Sequence, residues 1–541
     1  MTIPDSLQFT ETAAGAMRWL SQHHGGNKAV IEDGRVATFQ ELDRASTDLA
    51  KALLASGMGK GSRVAFLFPN GIDFVTAFFA ITRIGAIAIP INTFYKAPEL
   101  VWQLNHSDAQ LLITIDRFLH NDYLARLEEG FVGLPDTGDE MYLETAPYLR
   151  NIVVRSTGQA VPGWANQFEE FTMLGASVSD AILEAVESSV TPADHLCVLY
   201  TSGSSAAPKG VVHSHGAMLR RTASIGGSSF GIGPEDIVYN SSPFFWTGGM
   251  SNGLLPTVLN AGAVLTEEKF DAPRTLAQLE KHRVTVAVGW PHFAASLRAV
   301  PDFAERDLSA LRGGILTPLL LGEDLGDPGL TATGIGMTES VAQHTYGEKE
   351  PLPERLRGAF GTPAPGIEQK IVDVDTGLEV EDGEEGELCI RGYSVMQGYY
   401  KKEREEAFRP DGFFATGDLG VIREGFYFFT GRRGDMVKTG GANVSPAEVR
   451  DAMLGIDGVQ ECFVSGLPDP EKGEVVAAAV VVDPEAEVTE EGLRSELKSV
   501  LSSFKVPRVF KLLHPADIPM LPTDKVDRRT IIHMLEQKAA G

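Results

Sequence analysis

Cysteine is scarce. Cys197, Cys389 and Cys462 are odd in number and far apart, which leaves neither a disulfide framework nor a zinc-binding spacing and fits a reducing cytoplasm. A surplus of positive charge is missing too: 47 Lys and Arg face 73 Asp and Glu, a formal charge of -26. That balance repels nucleic acid and anionic membrane surfaces unless basic residues are locally concentrated. The first residues, Met1-Thr2-Ile3-Pro4-Asp5, lack the basic and apolar regions of a signal peptide, and Lys538-Ala539-Ala540-Gly541 carry no anchor or address, so a cytoplasmic protein is expected. No long apolar run exists either. The most apolar stretch, 74–91, is interrupted by Arg83, Gly85 and Pro90 and reads as a buried helix followed by a strand, not as a membrane span. Internal repeats and low-complexity tracts are absent, and so is the G-x-x-x-x-G-K-[ST] spacing of a Walker loop.

What is present is enough apolar residue, 43% of 541, for one large multilayered domain and at least one smaller one. Thr38 and Glu41 have capping-box spacing ahead of Phe39, Leu42, Ala45, Leu49 and Leu53, with Gly57 placed to end that helix. Residues 64–68 read as a strand, 72–84 as a helix and 86–89 as a second strand. Such a βαβ unit predicts an α/β architecture with ligand sites at the carboxyl ends of parallel strands. The stretch 121–188, rich in Gly, Asp and Glu, reads as loops and a peripheral subdomain. After Gly431 the pattern becomes a helix opened by Ser445-Pro446-Ala447-Glu448, strands over 459–464 and 475–482, and a helix over 490–501. The expected organisation is an α/β protein with a large N-terminal domain of parallel-rich sheets, residues 1–433, and a small mobile α+β domain, residues 434–541.

A strand over 196–200 feeds directly into Thr201-Ser202-Gly203-Ser204-Ser205-Ala206-Ala207-Pro208-Lys209-Gly210. Small residues let backbone approach a phosphate closely, and hydroxyls with one ammonium complete a cradle. Taken alone, the same segment also reads as a flexible Ser/Gly loop.

The segment resembles the signature of the adenylate-forming superfamily of acyl-CoA synthetases, luciferases and peptide-synthetase adenylation domains, with Ser205 and Ala206 where that family has Thr and Gly. Gly334-Ile335-Gly336-Met337-Thr338-Glu339 resembles the family's adenine and metal segment, with Ile335 where an aromatic residue is usual. The resemblance implies ATP binding by Thr201, Ser202, Gly203, Ser204, Lys209, Gly334, Ile335, Gly336, Thr338 and Glu339, and Mg²⁺ held by Thr201 and Glu339, a carboxylate being a hard oxygen ligand suited to that ion. Thr416-Gly417-Asp418 and Gly431-Arg432 resemble the ribose-binding part, in which Asp418 would accept from the ribose hydroxyls and Arg432 donate a planar fork.

The run 431–446 resembles the junction between the family's two domains, which puts the hinge at Gly434. Gly440-Gly441, with Lys438, would form the coenzyme A face. Leu521-Pro522-Thr523-Asp524-Lys525 resembles the segment of the adenylation lysine; Asp524 takes the usual glycine position, and Lys525 would stabilise charge between carboxylate and α-phosphate. Catalysis would thus rest on Lys525, Glu339 and Thr201.

Between the loop and Glu339 lies Pro243-Phe244-Phe245-Trp246-Thr247-Gly248-Gly249-Met250, where the family places part of its acyl pocket. Trp246 stands where many aryl-acid relatives have His and fatty-acyl relatives more often have a bulky aromatic. No carboxylate occurs between Ser242 and Leu265, whereas amino-acid-activating members place an Asp there. An acyl pocket of Phe245, Trp246, Thr247, Gly248, Met250, Gly313 and Gly314, with Trp290 and Phe293 nearby, would favour an apolar acid, although these aromatics read equally well as core. The expectation is an AMP-forming ligase joining a hydrophobic carboxylic acid to CoA with ATP and Mg²⁺. Its partners would be small molecules, with no nucleic acid and a homodimer as the assembly to test. Transfer to a carrier-protein thiol or an amine, and a catalytically silent nucleotide-binding relative, are the alternatives.

Overall fold

The computed structural model describes residues 8–137, 140–201, 208–324, 326–331, 334–347, 350–433, 437–439, 442–444, 446–470, 472–501, 505–521 and 526–540. Two parallel-rich sheets form its centre. In the eight-stranded one, Ile87–Pro90, Arg63–Leu67, Leu111–Ile115 and Asn151–Arg155 run parallel beside His195–Thr201, and two antiparallel strands, Lys209–Ser214 and Gly398–Tyr399, close that edge. In the five-stranded one, Val286–Val288, Ile237–Asn240, Ala263–Thr266 and Lys28–Glu32 are parallel, and Arg35–Thr38 is added antiparallel.

The βαβ unit forms as its pattern demands. The Thr38 hydroxyl accepts from the Glu41 backbone N–H at 3.2 Å while the Glu41 carboxylate accepts from the Thr38 N–H at 2.8 Å, so helix Phe39–Ala55 opens with a reciprocal cap. Helix Ile72–Arg83 buries every residue from Phe74 onward, as expected for a helix covered on all sides. Arg83 is tolerated there because its guanidinium meets Glu187 at 2.6 Å and Asp43 at 3.1 Å. No helix among the described residues is long and apolar enough to cross a membrane.

One expectation is corrected. The stretch 121–188 is not peripheral throughout: Asn151–Arg155 is an inner strand of the large sheet, with Ile152, Val153 and Val154 fully buried and helix Phe168–Met173 against it. A five-residue strand buried on both faces shows no alternation, and the Gly- and Asp-rich sequence around it masked the signal.

A four-stranded antiparallel sheet, built from Ile367–Val372, Gly386–Gly392, Phe414–Arg423 and Phe426–Arg432, follows the parallel layers. Beyond it, residues 446–540 pack two apolar clusters of their own. One is centred on Met453, Cys462, Val480, Leu493 and Phe510, the other on Leu467, Val481, Ile531 and Leu535. The helices and strands expected there are found at Pro446–Leu454, Val459–Asp469, Gly473–Val482 and Glu490–Val500.

Candidate active site

Thr201 and Lys209 are direct partners across the antiparallel pair His195–Thr201 and Lys209–Ser214. Both ends of the expected phosphate segment are therefore anchored at the carboxyl end of a central strand. Gly210 follows at once, and a Cβ there would lie 2.8 Å from the Val198 side chain and 3.2 Å from both Tyr200 and Tyr400. Ser202, Gly203 and Ser204, with Ser205 and Ala206, lie outside the described residues.

The Glu339 segment packs against this hairpin. Gly334 and Gly336 run so close to residues 342–345 that a Cβ would meet the Thr345 carbonyl at 2.4 Å and the Ala342 carbonyl at 2.6 Å. Glycine is required for that approach. Ile335, half-buried, packs toward the apolar cluster of Val211, Ile367 and Ile390. Glu339 itself is 9% exposed and accepts a 2.7 Å hydrogen bond from the Tyr399 hydroxyl. Tyr399 sits on the edge strand paired to Val211, and the Lys209 ammonium lies 5.0 Å from its ring centroid. One tyrosine thus touches the base of the phosphate segment and the carboxylate together. Burial, followed by the Glu339 charge, raises its hydroxyl far above the ordinary phenol range, so it remains a donor. Among the described residues Glu339 has no cationic partner within ion-pair distance.

Asp418 is 2% exposed and is the direct cross-strand neighbour of Arg432, whose Nε donates to it at 2.6 Å. Burial raises the Asp418 pKa and Arg432 opposes that, while Glu339 and Glu387 add further negative field. Glu387, also buried, accepts from the Gly417 N–H at 3.0 Å and pairs with Arg433 at 2.9 Å. The Asp418–Arg432 and Glu387–Arg433 pairs therefore brace residues 416–418 of strand Phe414–Arg423, where its register with Gly386–Gly392 shifts.

The acyl segment splits in two. Phe245 and Met250 are buried, whereas Trp246, Thr247 and Gly248 are half-buried, and the Phe245, Trp246 and Phe94 rings pack with centroids 5.3 to 6.0 Å apart, Phe245 edge-on to both others. The Thr247 hydroxyl donates to that of Thr338 at 2.9 Å, which ties this segment to Glu339. Gly313 bridges in parallel to Val286, and Gly314, at φ 97°, lies so close to Ala287 that a Cβ would meet its backbone at 2.3 Å. Both glycines therefore flank the Val286–Val288 strand, whose neighbour is Ile237–Asn240, and the two strands end side by side at Asn240 and Val288. Phe293, half-buried, packs 4.4 Å from the Phe270 ring against another apolar cluster; Trp290 is 47% exposed.

Lys525, Gly434, Gly440 and Gly441 lie outside the described residues; Lys438 contributes backbone to strand Val437–Thr439. Sequence reasoning missed Tyr399, Glu387 and His213. The Gly398-Tyr399-Tyr400 run was a visible turn-and-aromatic signal, but no linear spacing ties Tyr399 to a carboxylate sixty positions earlier.

Comparison with known proteins decides the lineage. Residues 17–400 match the AMP-binding enzyme family and residues 448–525 match the AMP-binding enzyme C-terminal domain. The chain belongs to the AMP-binding enzyme family. It is 30% identical over 530 residues to a methyl-dioxo-octahydro-indenyl-propanoyl:CoA ligase of Rhodococcus jostii (strain RHA1), covering 96% of this chain and 98% of that one. It is 29% identical to a long-chain-fatty-acid–CoA ligase of Mycobacterium tuberculosis (strain ATCC 25618 / H37Rv), covering 90% and 91%. The crystal structure of ATP-bound MatB from Rhodopseudomonas palustris superimposes with a TM-score of 0.75 at 25% identity, covering 97% of this chain and 99% of that one. Within the family the chain falls in the CoA-ligase branch, as an AMP-forming acyl-CoA synthetase that uses ATP, Mg²⁺ and CoA.

Proposed function

We propose that this family member activates a hydrophobic carboxylic acid at the junction of the Thr201–Lys209 hairpin, Glu339 and the Asp418–Arg432 pair, then transfers the acyl group to CoA. The observation that carries the assignment of the site is the convergence of Lys209, Tyr399 and the buried Glu339 carboxylate, which meets no cation among the described residues.

The donor set suits Mg²⁺. That ion keeps several waters and binds through one or two carboxylates plus substrate phosphates. Glu339 and the Thr201 hydroxyl would hold it. Bound there, it neutralises charge on the phosphate oxygens. Asp418 would accept from the ribose hydroxyls with Arg432 fixing its orientation, Lys209 and the residues from Thr201 to Ser204 would take the phosphates, and Ile335 with Gly334 and Gly336 would border the base.

In the first half-reaction a carboxylate oxygen of the acid attacks the α-phosphorus of ATP. The bond to the bridging oxygen breaks, and pyrophosphate leaves with Lys525 stabilising the transition state. In the second, the small domain, residues 434–541, turns about Gly434, withdraws Lys525 and presents Gly440, Gly441 and Lys438 to pantetheine. The CoA thiolate then attacks the acyl carbon, and AMP leaves. Phe245, Trp246, Thr247, Gly248, Met250, Gly313 and Gly314 would line the acid. An apolar acid is supported by the absence of any carboxylate in 243–264, where none could hold a substrate ammonium. Three free, buried cysteines accord with the cytoplasm, and sedimentation would test the homodimer.

The test is incubation with ATP, CoA and a panel of fatty, alicyclic and aryl acids, scored by pyrophosphate exchange and by thioester. AMP and acyl-CoA are expected. Acyl-adenylate that accumulates without reaching CoA would sink the acceptor assignment, and exchange no higher than in Lys525→Ala with every acid would sink the catalytic one.

A further inference from the structure

The segment carrying Glu339 is held at two carbonyls, one on each side of the carboxylate, and both holders belong to the unit that begins at the phosphate segment. Before Glu339, the Thr338 carbonyl accepts from Nε2–H of His213 at 2.8 Å; His213 is fully buried on strand Lys209–Ser214. Beyond it, the Gln343 carbonyl accepts from Arg221, fully buried on helix His215–Ser224, which continues directly from that strand. The same guanidinium donates to the Tyr346 hydroxyl at 2.9 Å.

Between the two held carbonyls lies Val341, fully buried at φ 69°. A β-branched residue in the left-handed region is strained by about 1–3 kcal/mol and persists only where its surroundings over-determine it. Arg221, moreover, has no carboxylate partner among the described residues, and its Nε has no hydrogen-bond partner. A buried guanidinium without a counter-charge is a poor space filler, because its desolvation is not offset by an ion pair. Its donors are directed instead at a main-chain carbonyl and a phenol on the segment that follows Glu339.

We infer that His213 and Arg221 are positioning residues for adenylation: they clamp the strained turn 338–343 and so fix the Glu339 carboxylate relative to the phosphate segment. The inference rests on the reading of Glu339 as the metal carboxylate. Losing one clamp point lets Val341 relax and moves the carboxylate, whereas the ATP contacts made elsewhere stay in place. The signature is therefore a selective loss of the Mg²⁺-dependent part of ATP binding and of adenylation.

Arg221→Met, Arg221→Lys, Tyr346→Phe and the wild type would be titrated with ATP by calorimetry, once with Mg²⁺ and once with EDTA. In Arg221→Met the Mg²⁺-dependent gain in affinity should fall about tenfold, and pyrophosphate exchange up to about a hundredfold, the scale of a small misplacement of a reacting group. Arg221→Lys should recover part of both, Tyr346→Phe, which removes one acceptor of the guanidinium while the Gln343 carbonyl keeps its donor, should lose about threefold, and affinity in EDTA should not change. Transfer from supplied acyl-adenylate to CoA should stay within about twofold, as that step does not call on Glu339. A Mg²⁺-dependent gain equal to wild type, or equal losses with and without Mg²⁺, would overturn the clamp. Should Arg221→Met fail to fold, Tyr346→Phe decides by the same two titrations. A wild type that gains ATP affinity with Mg²⁺ yet exchanges pyrophosphate with no acid would remove the proposed reaction while the titrations still judge the clamp.

Discussion

Two buried carboxylates, Glu339 and Asp418, lie close enough at the candidate site for each charge to be felt by the other, yet they are held in opposite ways. Asp418 is neutralised in place by Arg432 across an antiparallel strand pair, which fixes it as an acceptor of defined direction. Glu339 receives one hydroxyl from Tyr399 and no cation among the described residues. A buried carboxylate met by a neutral donor alone still has acceptor oxygens for a cation that arrives later. On the proposed assignment, the contrast would separate a site for sugar hydroxyls from a site for a phosphate-bound cation.

The sharpest way to break this comparison is Glu339→Gln. It keeps the shape and removes the charge, and should lower adenylation by about a hundredfold to a thousandfold, read by pyrophosphate exchange over a Mg²⁺ series. A loss under about threefold would mean that Glu339 is not the metal carboxylate. Asp418→Ala should act on the nucleotide instead, cutting kcat/KM for ATP by roughly ten- to a hundredfold and narrowing the preference for ATP over 2′-deoxy-ATP. An unchanged preference would remove Asp418 from the ribose site. Tyr399→Phe deletes only the hydroxyl facing Glu339, and about a tenfold drop in adenylation, with CoA transfer unaffected, is expected from one hydrogen bond to a charged group.

The last prediction concerns stability rather than activity. Burial lowers His215 and His344 to about 4, the latter helped by Arg221, so the unfolded chain binds protons there before the folded one does. Stability is therefore complete above the ordinary histidine pKa and is lost as pH falls from about 6.5 toward 4, at roughly 1.4 kcal/mol per pH unit for each ring. Denaturant melts between pH 7 and 4.5 should show this, and His344→Gln should flatten the slope. An unchanged slope in that variant would contradict the assignment.

Much of the site was legible in linear order because its parts sit on short segments whose residue types are dictated locally. Small residues precede Lys209 where the resemblance implies a phosphate segment, glycines flank Ile335 where two chain segments nearly touch, and Asp418 and Arg432 face each other on adjacent strands. The Thr38–Glu41 cap and the βαβ unit were legible for the same reason, since capping and periodicity are local. Asn151–Arg155 was not, because a short strand buried on both faces has no period to read.

By itself, then, the sequence determined the family, the α/β layering and the order of the chemical segments, all of which depend on neighbours within a few residues. Only the tertiary structure decided that Tyr399 would join Lys209 to Glu339, that Phe293 would pack on Phe270, and that His213 and Arg221 would grip the turn around Val341. Those contacts join residues far apart in the chain, and what sets them is close packing and the need of buried polar groups for partners, which no one-dimensional spacing records.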